Sequence, residues 1–182
     1  MLDEAKGRHM LMRRRILDRR MGALGFTLIE LMVTIVVMAV AAALAAPNFS
    51  SLIGNYRVRS SAESILNGLN LARAEAVRRN SPVSFTLNGA ASAWTVAQVA
   101  PATTIQTRAA ADSKVTVASS NAGLAVTFRP TGLVDPTGTW LTQITVSTAV
   151  AGTSTRRIDI LGGGLIRMCD PGVSSANDPR RC

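Results

Sequence analysis

GFTLIELMVTIVVMAVAAALAAP occupies residues 25–47, and polar side chains interrupt its apolar run only at Thr27, Glu30 and Thr34. At ~1.5 Å per residue, a helix from Phe26 to Ala46 reaches roughly 30 Å, the thickness of one hydrocarbon layer. Residues 26–47 are therefore expected to form a transmembrane helix. Seven basic residues (Lys6, Arg8, Arg13, Arg14, Arg15, Arg19 and Arg20) precede it. They should keep the N-terminus cytoplasmic and send the chain after Pro47 across the inner membrane, a single pass with the rest periplasmic. Residues 1–25 have no apolar core ahead of a cleavage point, so they do not read as a secretory signal. Glu30 is costly in such a segment, less so near its cytoplasmic end than the about 2.5–3.5 kcal/mol of mid-helix, and the charge calls for a compensating partner.

Outward from this run, Pro47 removes one helical hydrogen bond and should bend the axis. An amphipathic helix is expected to continue over 48–80. Ala62, Ile65, Leu66, Leu69, Ala72 and Ala76 recur at three- and four-residue spacing, while Arg59, Glu63, Asn67, Asn70 and Arg78 point elsewhere. Glu75 has Arg78 and Arg79 at i+3 and i+4, and Asn80-Ser81-Pro82 should stop the helix. Residues 81–182 change to short β-branched runs: VSFTL, WTVAQV, KVTVAS, LAVTFRP, TQITVST and RRIDIL. Turn signals stand at Asn88-Gly89, Asn121 and Ala122-Gly123. The simplest burial scheme is an antiparallel meander against Ile65, Leu69, Ala72 and Ala76, and the fold class is α+β.

Of the +9 formal charge, +4 lies before Phe26, so the basic balance is partly a property of the leader and does not argue for nucleic acid. His9 is the sole histidine and only Cys169 and Cys182 offer thiols. Histidine-based zinc sites, Ser-His-Asp triads and Cys-His pairs are excluded after Phe26, and no catalytic residue, metal or cofactor is expected. Gly162-Gly163-Gly164 lacks the lysine and hydroxyl residue of a phosphate loop; it should join a strand carrying Ile158 and Ile160 to Leu165-Cys169 as a hairpin.

The run Gly25-Phe26-Thr27-Leu28-Ile29-Glu30, after a short basic leader and before an apolar helix with Pro47, resembles a type IV prepilin. The resemblance implies a pilin fold, cleavage by prepilin peptidase between Gly25 and Phe26, and N-methylation of Phe26. It also implies that Glu30 pairs with a neighbouring subunit's N-terminal amine during assembly. Physical reasoning agrees, because a carboxylate among lipid-facing side chains is tolerable when an opposite charge meets it. Gly25, without a Cβ, suits close protease access, and Phe26 is expected to begin the helix.

Leu71-Ala72-Arg73-Ala74-Glu75-Ala76-Val77-Arg78-Arg79-Asn80, with Val83 and Phe128-Arg129-Pro130-Thr131-Gly132, is similar to the GspH/FimT-like minor pilins and pseudopilins. This implies an initiating or tip-proximal subunit whose partners are other pilins, prepilin peptidase, the inner-membrane assembly platform and membrane lipid. A type IV pilus, serving motility, adhesion or DNA uptake, and a type II secretion pseudopilus both remain open. Cys169 and Cys182 are expected to form a disulfide in an oxidising periplasm, worth about 3 kcal/mol by chain entropy, with free thiols as the alternative. It resembles the C-terminal disulfide loop of many type IV pilins. Arg156, Arg157, Arg167, Arg180 and Arg181 make the C-terminal stretch basic against Asp159, Asp170 and Asp178. Some relatives bind DNA through Gly-Arg-x-Arg. Here the stretch is Gly164-Leu165-Ile166-Arg167, so the first arginine is missing. Arg167, Arg180 and Arg181 stand as candidate DNA contacts, against solvated charge or pilin contacts, and Trp94 and Trp140 are assigned to core packing.

Overall fold

The computed structural model describes residues 25–89, 91–110, 112–120 and 123–182. The basic leader through residue 24, with His9, and the Asn121 and Ala122 turn positions lie outside the described residues. The chain forms two units, one ending at Ala41 and one running from Ala42 to Cys182.

Helix α1 runs Leu28–Arg79, continuous through position 47. It begins at Leu28, not at Phe26, because Thr27 caps it. The Thr27 hydroxyl accepts from the Glu30 N–H at 3.2 Å, and the Thr27 carbonyl accepts the first helical bond from the Leu31 N–H at 3.1 Å. Asn80 takes a left-handed φ of 48° at the C-terminal end, where a short polar side chain tolerates that conformation best after glycine. Of the stripe, Ala62, Ile65, Leu69, Ala72 and Ala76 are buried and Leu66 is half-buried against the core, and Val58, one turn earlier, is buried with them.

Eight strands follow: β1 Val83–Leu87, β2 Trp94–Gln98, β3 Thr103–Arg108, β4 Val115–Ser119, β5 Ala125–Phe128, β6 Gln143–Thr148, β7 Arg156–Ile160 and β8 Ile166–Cys169. They form two four-stranded antiparallel sheets, ordered β3-β2-β1-β5 and β4-β6-β7-β8, rather than one meander. Strand β3 went unread because TTIQTR has no buried face to give it an alternating pattern; all but Ile105 are exposed. Such an edge strand offers no apolar surface on which the chain could continue the sheet. Val115 and Val117 of β4 instead bury in the second sheet, and Val126 and Phe128 of β5 return to the free edge of β1. The helix stripe and the inner faces of both sheets make one core, whose largest members include Phe85, Phe128, Ile65 and Leu69.

The β1–β2 connection also differs from a two-residue turn. Leu87 pairs with Trp94, and the Asn88 N–H donates to the Ala93 carbonyl at 3.0 Å, so the loop spans 89–92. The β7–β8 hairpin across the three glycines forms as read, with Ile160 opposite Ile166. Trp94 is buried and its Nε1 donates to the Ser64 hydroxyl at 3.1 Å, while Trp140 is half-buried against the core.

At the end of α1, hydrogen bonds from Arg78 and Arg79 hold the Glu75 carboxyl at about 2. The folded value lies below the ordinary 4.5, so the pair's contribution is full above about pH 4.5 and disappears as the pH falls towards 2. Glu75→Gln should lower the unfolding temperature by about 1 °C at pH 7, small because the arginines are exposed, and by clearly less at pH 2. Parallel thermal melts at the two pH values test the sign.

Candidate functional site

Two regions hold the residues singled out in the sequence. In the first, Gly25 and Phe26 precede the Thr27 cap. A Cβ at Gly25 would meet nothing within 4 Å, and Phe26 is 82% exposed. Glu30 lies in the first turn of α1 and is exposed. Large apolar residues follow on every side of the helix, from Leu28 to Leu44, all exposed. Among the described residues this is one helix long and apolar enough to cross a membrane. A surface of that kind is stable in lipid or against other helices, not in water. The exposed Gly25–Phe26 bond and the acid one turn in are local features that spacing could place, whereas the Thr27 cap was not read.

The second region is the C-terminal end. Cys169, at the end of β8, and Cys182 are joined as a disulfide, 13 residues apart in sequence. Within the loop, the Asp170 N–H donates to the Arg180 carbonyl at 2.7 Å and Asp170 forms a parallel bridge with Arg181, so the tail runs back along the strand end. Arg156 pairs with Asp170 beside it. Burial pushes the Asp159 carboxyl up, but hydrogen bonds from Arg167, Gln143 and Arg157 outweigh it and hold the group below its ordinary range. Arg180 donates from its side chain and its backbone to Asp178, holding that carboxyl at about 2.

The three candidate DNA contacts are thus dispersed in kind. Arg167 is on a strand and tied to Asp159 at 3.2 Å, Arg180 is tied to Asp178 at 2.6 Å, and Arg181 holds the tail through its backbone. A cleft of about 290 Å³ brings Arg180 together with Arg59, Arg156, Asp170 and Cys169, but Arg167 does not line it. Among the described residues no group of histidine, cysteine and acidic side chains could hold a metal.

Sequence reading missed four glycines that matter because of what approaches them. A Cβ at Gly68 would come within 2.9 Å of both Phe85 Cε2 and Trp94 Cε2, and one at Gly54 within 2.6 Å of Thr153 Cγ2. These glycines let α1 lie close against a ring pair and a loop. Gly132 and Gly164 meet each other: a Cβ at Gly164 would stand 2.1 Å from the Gly132 carbonyl oxygen. The only available signal was a glycine where a helix former or a strand residue would otherwise serve. Arg73 joins them, its Nε donating to the Gly132 carbonyl at 3.2 Å.

The chain matches two families. The prokaryotic N-terminal methylation motif covers residues 20–46, which includes the Gly25–Glu30 run. The family described as type II transport protein GspH covers residues 61–164, more than half of the chain. No curated protein matches. Among solved structures, the chain is similar to the type IV minor pilin FimU of Pseudomonas aeruginosa strain PAO1. In one crystal form the identity is 19% and the TM-score 0.51, over 65% of this chain and 95% of that one. In a second form the identity is 20% and the TM-score 0.49, over 64% and 99%. The first likeness shows the fold, a long N-terminal helix packed on antiparallel sheets. The apolar helix and the methylation motif are consistent with a prepilin anchored in the inner membrane. The chain therefore belongs to the GspH family and is a structural, non-enzymatic protein of the pilin and pseudopilin kind.

Proposed function

We propose that this chain is a minor subunit, initiating or tip-proximal, of a type IV pilus. Prepilin peptidase cuts it between Gly25 and Phe26, Phe26 is N-methylated, and the assembly platform of the inner membrane draws the mature helix into a filament. The domain from residue 48 onward faces the periplasm until assembly. The reading rests on one observation: an exposed apolar helix starts at Leu28, two residues after Phe26, and its apolar run carries a single acid, Glu30, within the matched methylation motif. Lipid covers that helix before assembly and neighbouring helices cover it afterwards. The choice of pilus is supported by the fold shared with a type IV minor pilin.

A second reading, a minor pseudopilin of a type II secretion system, is favoured by the description of the matched family. Mass spectrometry of the protein from membranes is expected to give an N-terminal peptide starting at methylated Phe26. A peptide retaining residues 1–25 would refute processing. Deleting the gene should remove surface pili and leave secretion intact; the reverse pattern makes the chain a pseudopilin.

A further inference from the structure

After Tyr56, six large apolar side chains are exposed among the described residues: Val77, Val99, Leu124, Leu133, Leu161 and Leu165. Four of them gather round one junction. There the Gly132 turn that follows β5 meets the Gly164 hairpin between β7 and β8, with the closest approach being that of Gly164 to the Gly132 carbonyl. Leu133 and Leu165 are the chain neighbours of those glycines. The Leu161 N–H donates to the Leu165 carbonyl at 2.9 Å, and a Cβ at Gly132 would lie 3.5 Å from Val77 Cγ2. Isolated exposed leucines need no explanation, but a cluster of four at the meeting of a helix and two sheets marks a contact surface.

Arg73 stands in the same junction and is exposed. Its guanidinium has five N–H donors, and the Nε donor goes to the Gly132 carbonyl. Among the described residues no carboxylate forms an ion pair with it, whereas every side-chain carboxylate outside the apolar run is already held by an arginine of its own chain. Among the described residues a second copy's one acid outside these pairs is Glu30, which lies in the apolar membrane-spanning run, and the net positive charge after Phe26 opposes self-docking.

We propose that this face, Val77, Leu133, Leu161 and Leu165 around Arg73, docks a non-identical protein subunit that presents a carboxylate beside apolar side chains. The apolar residues supply the buried area and the Arg73 pair selects the partner, since placing any other charge there leaves a guanidinium unpaired. The inference rests on the chain's being a subunit of a pilin-type assembly.

The test replaces Leu133 with the photocrosslinker p-benzoylphenylalanine in the full-length chain, in its own cells, with the adduct mapped by mass spectrometry. The expected adduct joins Leu133's position to a different chain within a few residues of an aspartate or glutamate. Adding Arg73→Glu should cut the yield roughly tenfold, and replacing the mapped acid with lysine should restore it. Adduct to a second copy of this chain, adduct to no protein, or a yield indifferent to Arg73 overturns the proposal. Should Arg73→Glu lower the unfolding temperature, Arg73→Gln, which removes the charge and the Nε donor without adding an opposite charge, carries the same comparison. The N-terminus is read on the same material. Chains that begin at Phe26 but fail to crosslink overturn the docking alone, whereas chains retaining residues 1–25 overturn the proposed function and this inference with it.

Discussion

The Glu30→Ala protein is expected to accumulate in the membrane, processed to Phe26, and to be nearly absent from filaments. Before assembly, Glu30 lies exposed in the first turn of α1, one turn from the amine that cleavage at Phe26 would create. In a filament the surrounding leucines, isoleucines and valines become covered by neighbouring helices, and both the acid and a neighbour's amine leave water together. Two such charges are tolerable as a pair, and removing one partner of a buried pair costs about 3–5 kcal/mol. That is roughly a 100- to 5,000-fold loss in the equilibrium for adding a subunit. Glu30→Gln should fail almost as badly, because it keeps the shape and removes the charge. The measurement is the ratio of sheared filament to membrane-bound protein by immunoblot. A Glu30→Ala chain that enters filaments as well as its parent would show that the acid is not paired there.

Gly164→Ala is expected to cost about 3 kcal/mol or more of stability, while Gly162→Ala and Gly163→Ala change it by less than about 0.5 kcal/mol. The three residues are consecutive and identical, yet their surroundings differ. At Gly162 and Gly163 a Cβ meets nothing within 4 Å. At Gly164 the backbone has φ +78° and the added atom would stand 2.1 Å from the Gly132 carbonyl oxygen, a backbone atom that cannot swing aside. The left-handed conformation alone costs an alanine about 1–2 kcal/mol. Forcing the Gly132 turn away adds about 1–3 kcal/mol and disturbs the Arg73 hydrogen bond to that carbonyl. Thermal or urea unfolding of the three variants decides it; equal effects at all three positions would contradict the close approach.

The helix was legible because its information is periodic and local. Ile65, Leu69, Ala72 and Ala76 return at helical spacing, and Asn80 followed by Pro82 ends the run. Most strands were legible for the same reason. Val83, Phe85 and Leu87 alternate with Ser84 and Thr86, and Ile158 and Ile160 flank Asp159. Thr27 as the cap was hidden by the apolar residues around it, which made Phe26 look like the start. Strand β3 was hidden because this edge strand half-buries Ile105 alone, so TTIQTR carries no apolar alternation to read.

The N-terminal motif was legible because the residues proposed for cleavage, methylation and charge pairing form one short contiguous run, Gly25 to Glu30, inside the matched methylation motif. The C-terminal arginines were not. Their number is written in the sequence, but Arg167 is tied to Asp159, Arg156 to Asp170 and Arg180 to Asp178 only in the folded chain.

By itself, the sequence determined the helix and every strand that has a buried face, which of their faces would turn inward, and that one apolar run carries a lone acid. Each is a property of neighbours in the chain, governed by residue spacing and by the aversion of apolar surface to water. The tertiary structure alone decided which sheet each strand joined, which of three consecutive glycines had to be glycine, and that Arg73 would meet a backbone carbonyl rather than a carboxylate. Those outcomes depend on distances between residues far apart in sequence, such as Gly132 and Gly164 or Arg73 and Gly132, and no local pattern encodes a distance of that kind.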